Sequence, residues 1–206
     1  QFAHRRAMTT YAFTNFELRN WDAANEMMKR YYEYALEYGE TSELGTAECQ
    51  VGSLLWHQMK LDECDEHYEK SLQHFLKLDS EFDSRNLTVL YGNMAFAATI
   101  RRDWVKARHY ADLTLRRAIV ERVPMCVNSM MAVRSMLHAE AGEKGQARQF
   151  AAQGLVRTFR DRFFRMHQVS ADYVAGVLAL VGRGSEALGM VEAYTRYRAA
   201  DHHEHS

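Results

Sequence analysis

Residues 52–75 read GSLLWHQMKLDECDEHYEKSLQHF. After a break at Met59-Lys60, the residues Leu61, Cys64, Tyr68, Leu72 and Phe75 recur at steps of three and four, which is one face of an amphipathic helix. The helix opens with three mixed residues and then a small one, Cys64. The same opening returns along the chain as Trp21 to Ala24, Trp104 to Ala107, Lys144 to Ala147 and Gly184 to Ala187. The small residues Ala24, Cys64, Ala107, Ala147 and Ala187 stand 40, 43, 40 and 40 positions apart. A period this constant predicts five copies of one supersecondary unit. A small side chain at the marker has a physical purpose, because anything larger would hold two paired helices apart.

The chain around this stretch has 206 residues with only one proline and 11 glycines. That leaves too little turn chemistry for a sandwich or barrel. Ala, Leu, Met, Glu, Arg and Gln fill the long segments between breakers, so the fold class read from the sequence is all-α. Breaks inside the units fall near Arg19-Asn20, Met59-Lys60, 101–103, 142–144 and 182–184. Breaks between units fall near 39–42, 78–83, 122–124 and 160–165, with Pro124 suited to the first turn of a helix. The predicted architecture is one domain over 1–206, an α-solenoid of about five antiparallel helix hairpins at 3–38, 42–78, 83–121, 124–160 and 164–199. A disordered tail is expected over 200–206. In the third unit Trp104, Ala107, Ala111, Leu115 and Ile119 are the expected buried stripe.

These residues resemble the tetratricopeptide repeat, a helix-turn-helix unit with small and large residues at set places. Unit two carries the likeness best, with Gly52 and Leu55 before Cys64, Tyr68 after it and Ser71-Leu72 at the second small position. Ala175, Leu178, Gly182, Ala187 and Val191 match in unit five, and Ser135, Gly142, Ala147, Ala151 and Gly154 in unit four. The repeat here is a long variant of about 40 residues and lacks the family's closing proline. Long repeats of this kind are similar to those of kinesin light chains and of regulators with a repeat-built sensor region. The resemblance implies a right-handed superhelix and a non-catalytic scaffold or adaptor that takes a protein or peptide in its concave groove. The alternative it implies is a ligand- or peptide-sensing regulatory domain of a larger signalling or transcription-regulator protein.

In such repeats the first helices line the groove. The resemblance therefore implies Phe13, Phe16, Cys49, Ser53, Trp56, Asn93, Phe96, Met136 and Asp172 as candidate partner-binding residues, with intra-repeat core as the competing reading for Phe13, Trp56 and Phe96. The Lys and Asn clamp used by related repeats to hold acidic C-termini is not matched, since Cys49, Ser53 and Asn93 stand there without a lysine. No nucleophile elbow, phosphate-binding glycine loop or zinc-protease motif occurs, so no catalytic residue is expected. Glu63, His67 and His74 share one side of a helix with Asp62, Asp65 and Glu66, but match no metal motif and read as a charged outer surface. No metal or cofactor is expected.

The net charge of −1 conceals two unlike halves. Residues 1–100 hold 9 Lys and Arg against 16 Asp and Glu, and residues 101–206 hold 17 against 11. The basic excess centres on Arg101, Arg102, Arg116, Arg117, Arg157, Arg160, Arg162 and Arg165. Such a patch suits an acidic protein or the acidic half of a second copy, which would allow self-association, and solvated helix faces are the competing reading. Nucleic acid is disfavoured for want of interleaved aromatics. Cys49, Cys64 and Cys126 are too few and too dispersed for a disulfide scaffold, which points to reduced thiols and a cytoplasmic setting. No apolar run approaches the ~20 residues that would span a membrane, and no signal sequence is recognised at the start. The missing initiator methionine reads as an excised domain or processed fragment.

Overall fold

The computed structural model describes residues 2–18, 20–78, 80–160, 175–179, 182–189 and 191–192. All regular structure among them is helical. Eight helices have both ends described: α1 (Phe2–Glu17), α2 (Trp21–Tyr38), α3 (Thr41–His57), α4 (Leu61–Phe75), α5 (Glu81–Ile100), α6 (Trp104–Val120), α7 (Pro124–Glu140) and α8 (Lys144–Arg160). Helical backbone follows at 175–179 and 184–189. The chain falls into two compact units, Gln1–Ala97 and Ala98–Ser206, with the division inside α5.

One backbone motif recurs at every turn within a hairpin. The amide of Asn20 donates to the Asn15 carbonyl at 2.8 Å, Lys60 to Leu55 at 3.0 Å, Asp103 to Ala98 at 2.9 Å, Glu143 to His138 at 2.9 Å and Arg183 to Leu178 at 2.8 Å. This is the long bond of a Schellman cap, which satisfies carbonyls the ending helix leaves open. The residue before each donor turns left-handed in Met59, Arg102, Gly142 and Gly182. Four residues beyond each donor stands the small marker, whose amide returns to the donor's carbonyl, as Ala24 does to Asn20 and Ala187 to Arg183. The five caps thus carry the 40, 43, 40, 40 spacing into the backbone. A sixth cap, Val123 to Ala118 at 2.9 Å with Arg122 left-handed, precedes Pro124, which sits in the first turn of α7.

The markers are the best-covered side chains of their turns: Ala24, Cys64, Ala107, Ala147 and Ala187 are all buried. In the first unit Ala12 and Ala24 join Met28, Tyr31, Ala35, Ala47 and Leu54 in one core cluster, with Phe13 and Phe16 packed against it. In hairpin α3–α4 the first helix makes room for rings on the second. Tyr68 and Phe75 are buried, and Cβ atoms added at Gly52 and Gly45 would meet them at 2.6 and 2.9 Å. The α5 start is fixed by a serine N-cap: Ser80 Oγ accepts from the Asp83 amide at 3.1 Å and donates to the buried Asp83 carboxylate, which also accepts from Ser42 of α3.

In the second unit Thr114, Leu115 and Ala118 are buried on α6, whereas Ile119 is 68% exposed. The expected stripe fails at its last member for a geometric reason. Steps of four overshoot a helical turn by about 40° each, so three of them from Ala107 carry Ile119 off the covered face.

Candidate functional site

The first helices of the unit 1–97 converge through side chains. Asn93 on α5 donates from Nδ2 to Ser53 Oγ on α3 at 3.1 Å and to Cys49 Sγ at 3.5 Å. The Ser53 hydroxyl donates to the Cys49 carbonyl at 2.8 Å. Beside this polar group the rings form a chain of contacts. Phe16 on α1 meets His57 with centroids 4.5 Å apart, His57 meets Trp56 at 4.1 Å, and Trp56 meets Phe96 on α5 at 6.1 Å. Phe16 also takes the edge of Trp21 at 4.9 Å. Phe16, Ser53, Trp56, His57 and Asn93 are partly exposed, so this row offers both ring surface and polar atoms. The Trp56 indole Nε1 is buried and has no hydrogen-bond partner among the described residues.

Burial sets the protonation here. His57 is held down to about 4 by desolvation, so its ring is neutral near pH 7 and can stack among aromatics. Burial pushes the Cys49 thiol up to about 11 against the opposing hydrogen bonds from Asn93 and Ser53, and pushes Cys126 up to about 12 with Glu121 adding to the shift. Both stay protonated thiols at neutral pH, which is the opposite of an activated nucleophile.

The candidate residues do not all share one situation. Cys49 and Phe96 are buried and present almost no surface of their own. Phe13 and Phe16 are partly buried against the core cluster. Met136 packs against the separate cluster of Ala147, Ala151 and Val177 in the other unit. Of the arginines, Arg101, Arg102 and Arg116 are exposed, and Arg117 is partly covered and paired with Glu121 at 2.9 Å. Asp172, Arg162 and Arg165 lie outside the described residues, as do the side chains of Arg157 and Arg160.

A second polar centre was hidden in the sequence. Glu48 on α3 is buried, accepts from Tyr32 on α2 at 2.7 Å and pairs with His67 Nδ1 on α4 at 2.5 Å. Burial pushes the Glu48 carboxyl up, yet the hydrogen bonds from His67 and Tyr32 and the charges of His67 and Lys70 overcome it and hold the carboxyl below its ordinary range. Tyr32 is raised to about 12 by burial and by Glu48. The expectation that His67 belongs to a charged outer surface is corrected: it turns inward to a buried carboxylate. Glu48 gave no sequence signal beyond standing among apolar neighbours, and its partners lie 16 and 19 positions away. In the other unit Arg134 bridges from α7 to Asp112 of α6 at 2.8 Å and lies over the Phe150 ring. Among the described residues no three His, Cys, Asp or Glu side chains gather as a metal site, and no helix is long and apolar enough to cross a membrane.

No protein-family model matches the sequence, and no curated protein matches it. Solved structures do match. The chain is similar to BtubC (BKLC) from P. vanneervenii, with 16% identity and a TM-score of 0.64 over 95% of this chain and 80% of that one. It is also similar to a Podosopora anserina chain described as a kinesin light chain with nearly identical TPR-like repeats. There the identity is 11% and the TM-score 0.59, over 96% of each chain. The fold is therefore that of the TPR-like repeat proteins, an all-α solenoid of the long-repeat kind.

Proposed function

We propose that this TPR-like chain is a non-catalytic protein-interaction scaffold that takes a peptide or partner segment along the first-helix face of residues 1–97. The observation that carries the reading is the partly exposed row Phe16, His57 and Trp56, backed by the buried ring of Phe96 on α5 and flanked by the Ser53–Asn93 pair. Rings held in place by neighbouring rings lose little freedom on binding, and polar atoms at their side supply orientation. The neighbours in fold support a scaffold role, one of them being named a kinesin light chain. Protonated, buried thiols and a neutral buried imidazole favour binding over covalent chemistry. Three free cysteines fit a reducing, cytosol-like setting.

A displayed random-peptide library panned against the whole chain tests this. Peptides enriched on the parent protein should bind Trp56→Ala and Asn93→Ala about tenfold or more weakly. They should bind Glu63→Ala, altered on the exposed side of α4, unchanged, with helical content equal in all forms. Enriched peptides that ignore both first-helix variants would overturn the proposal.

A further inference from the structure

The recurring caps place the hairpins in register, so each position of the first hairpin has a counterpart 40 residues on in the second and 163 residues on in the fifth. Along α1 the positions Ala7, Tyr11, Thr14 and Leu18 correspond to Ala47, Val51, Leu54 and Gln58. On α3 those four dock the second hairpin onto the first. Ala47 and Leu54 are buried in the cluster with Met28, Tyr31 and Ala35, and Val51 packs against it. Gln58 Nε2 donates to Asn25 Oδ1 of α2 at 2.6 Å. Of the matching positions, Leu90, Met94 and Ala97 on α5, Met130 and Leu137 on α7, and Val177 are buried as well, whereas Arg134, at the register of Tyr11, is partly exposed and Arg101 and Ala141, at the register of Leu18, are exposed. On α1 the same face is open: Tyr11 is 51% exposed, Leu18 is 70% exposed, and Ala7 and Thr14 are exposed with them.

The opposite half of such a junction is found at the other end. Asn25, which receives Gln58, corresponds to Leu188 in the fifth hairpin, and Met28 corresponds to Val191. Leu188 is 61% exposed and Val191 is 44% exposed. The two ends are therefore chemically matched. Where the internal junction has a hydrogen-bonded Asn25–Gln58 pair, both counterparts at the ends, Leu188 and Leu18, are leucine. None of the four α1 positions is charged, and neither are Leu188 and Val191. The joints between hairpins in the chain set a second helix on a first helix, α2 on α3 and α6 on α7.

We infer that the open α1 face receives the Leu188 side of a second copy of this chain, head to tail, in the register of an internal hairpin junction. The occupant is chosen by continuity: the contact repeats a joint the chain already makes, with an apolar pair in place of a polar one. Such a contact is heterologous, so it propagates from copy to copy unless the rotation closes a ring.

Sedimentation velocity and light scattering of the full chain test it. The parent protein should rise above its monomer mass of 23.9 kDa as concentration increases. Leu18→Glu and Leu188→Glu should each remain monomeric, with association weakened about tenfold or more. Mixed in equal amounts, the two variants should form a complex of two copies, because one keeps an intact tail and the other an intact head. Val105→Glu, on an exposed face of α6, should associate like the parent. Tyr11→Glu serves as a second head variant, and unchanged helical content in each variant separates lost contact from lost fold. A parent protein that stays monomeric overturns the inference. So does a Leu188→Glu form that still assembles, which would point to α1 faces pairing with each other, or a mixture that stays monomeric. The peptide-binding face enters none of these readouts, so each proposal fails separately.

Discussion

Gly52 of α3 lies against the ring of Tyr68 of α4: a Cβ at Gly52 would stand 2.6 Å from Tyr68 Cε1 and 2.7 Å from Cδ1. Tyr68 is almost wholly buried and has nowhere to move. Gly52→Ala gains about 1 kcal/mol of helix propensity, but overpacking a fixed ring costs about 1–3 kcal/mol. The expected outcome is a net loss of up to about 2 kcal/mol in urea unfolding. Gly145→Ala, whose Cβ meets nothing within 4 Å, should instead hold or slightly raise the midpoint.

Met59 closes α3 in the left-handed region with φ 61°, a place that Gly142 and Gly182 fill in later hairpins. A non-glycine residue there carries roughly 1–2 kcal/mol of steric cost, offset in part by the greater freedom of glycine when unfolded. Met59 is also 62% exposed, so little packing is lost on its removal. Met59→Gly should stabilise the chain by about 1 kcal/mol, read as a rise in thermal midpoint.

His57 is neutral in the folded chain, its pKa held down to about 4 from 6.5 by burial. Between those values the unfolded chain binds a proton that the folded chain does not. Stability therefore rises with pH through this window and is lost as pH falls from about 6.5 toward 4, by up to about 3 kcal/mol. Glu48, with its pKa lowered, adds loss in the same direction at the acid end. His57→Phe, which keeps a ring between Phe16 and Trp56, should flatten the profile above about pH 4.5 in thermal melts taken at stepped pH. An unchanged slope would count against a neutral buried His57.

The Glu48–His67 pair should behave as a coupled unit. Removing one partner leaves the other buried or half-buried without its partner, a loss of about 2–4 kcal/mol. Glu48→Ala and His67→Ala should each show it, and the double variant should cost clearly less than the two losses added together. Glu48→Gln, which still accepts from Tyr32, should be milder than Glu48→Ala. Strict additivity in the cycle would show that the pair does not interact.

Much of the fold was legible because its causes are local. A small residue every 40 or so positions, a stripe at steps of three and four, and a break before each marker all act within one hairpin. The cap bonds from Asn20 to Arg183 occur at the breaks already visible in the sequence. The stripe on α6 went astray at Ile119 because equal steps of four drift around a helix, a small error that grows with length.

The sequence by itself determined the helical class, the repeat period, the buried markers and the position of Pro124. Only the tertiary structure decided which side chains face inward between hairpins. It buried Cys49 and Phe96, brought Asn93 to Ser53 across 40 positions and turned His67 inward to Glu48. It left Tyr11 and Leu18 open where their counterparts on α3 are docked on the first hairpin. The physical reason is distance along the chain. Period and propensity are carried by residues three or four apart, whereas burial and pairing depend on neighbours supplied by another hairpin, whose placement no local pattern records.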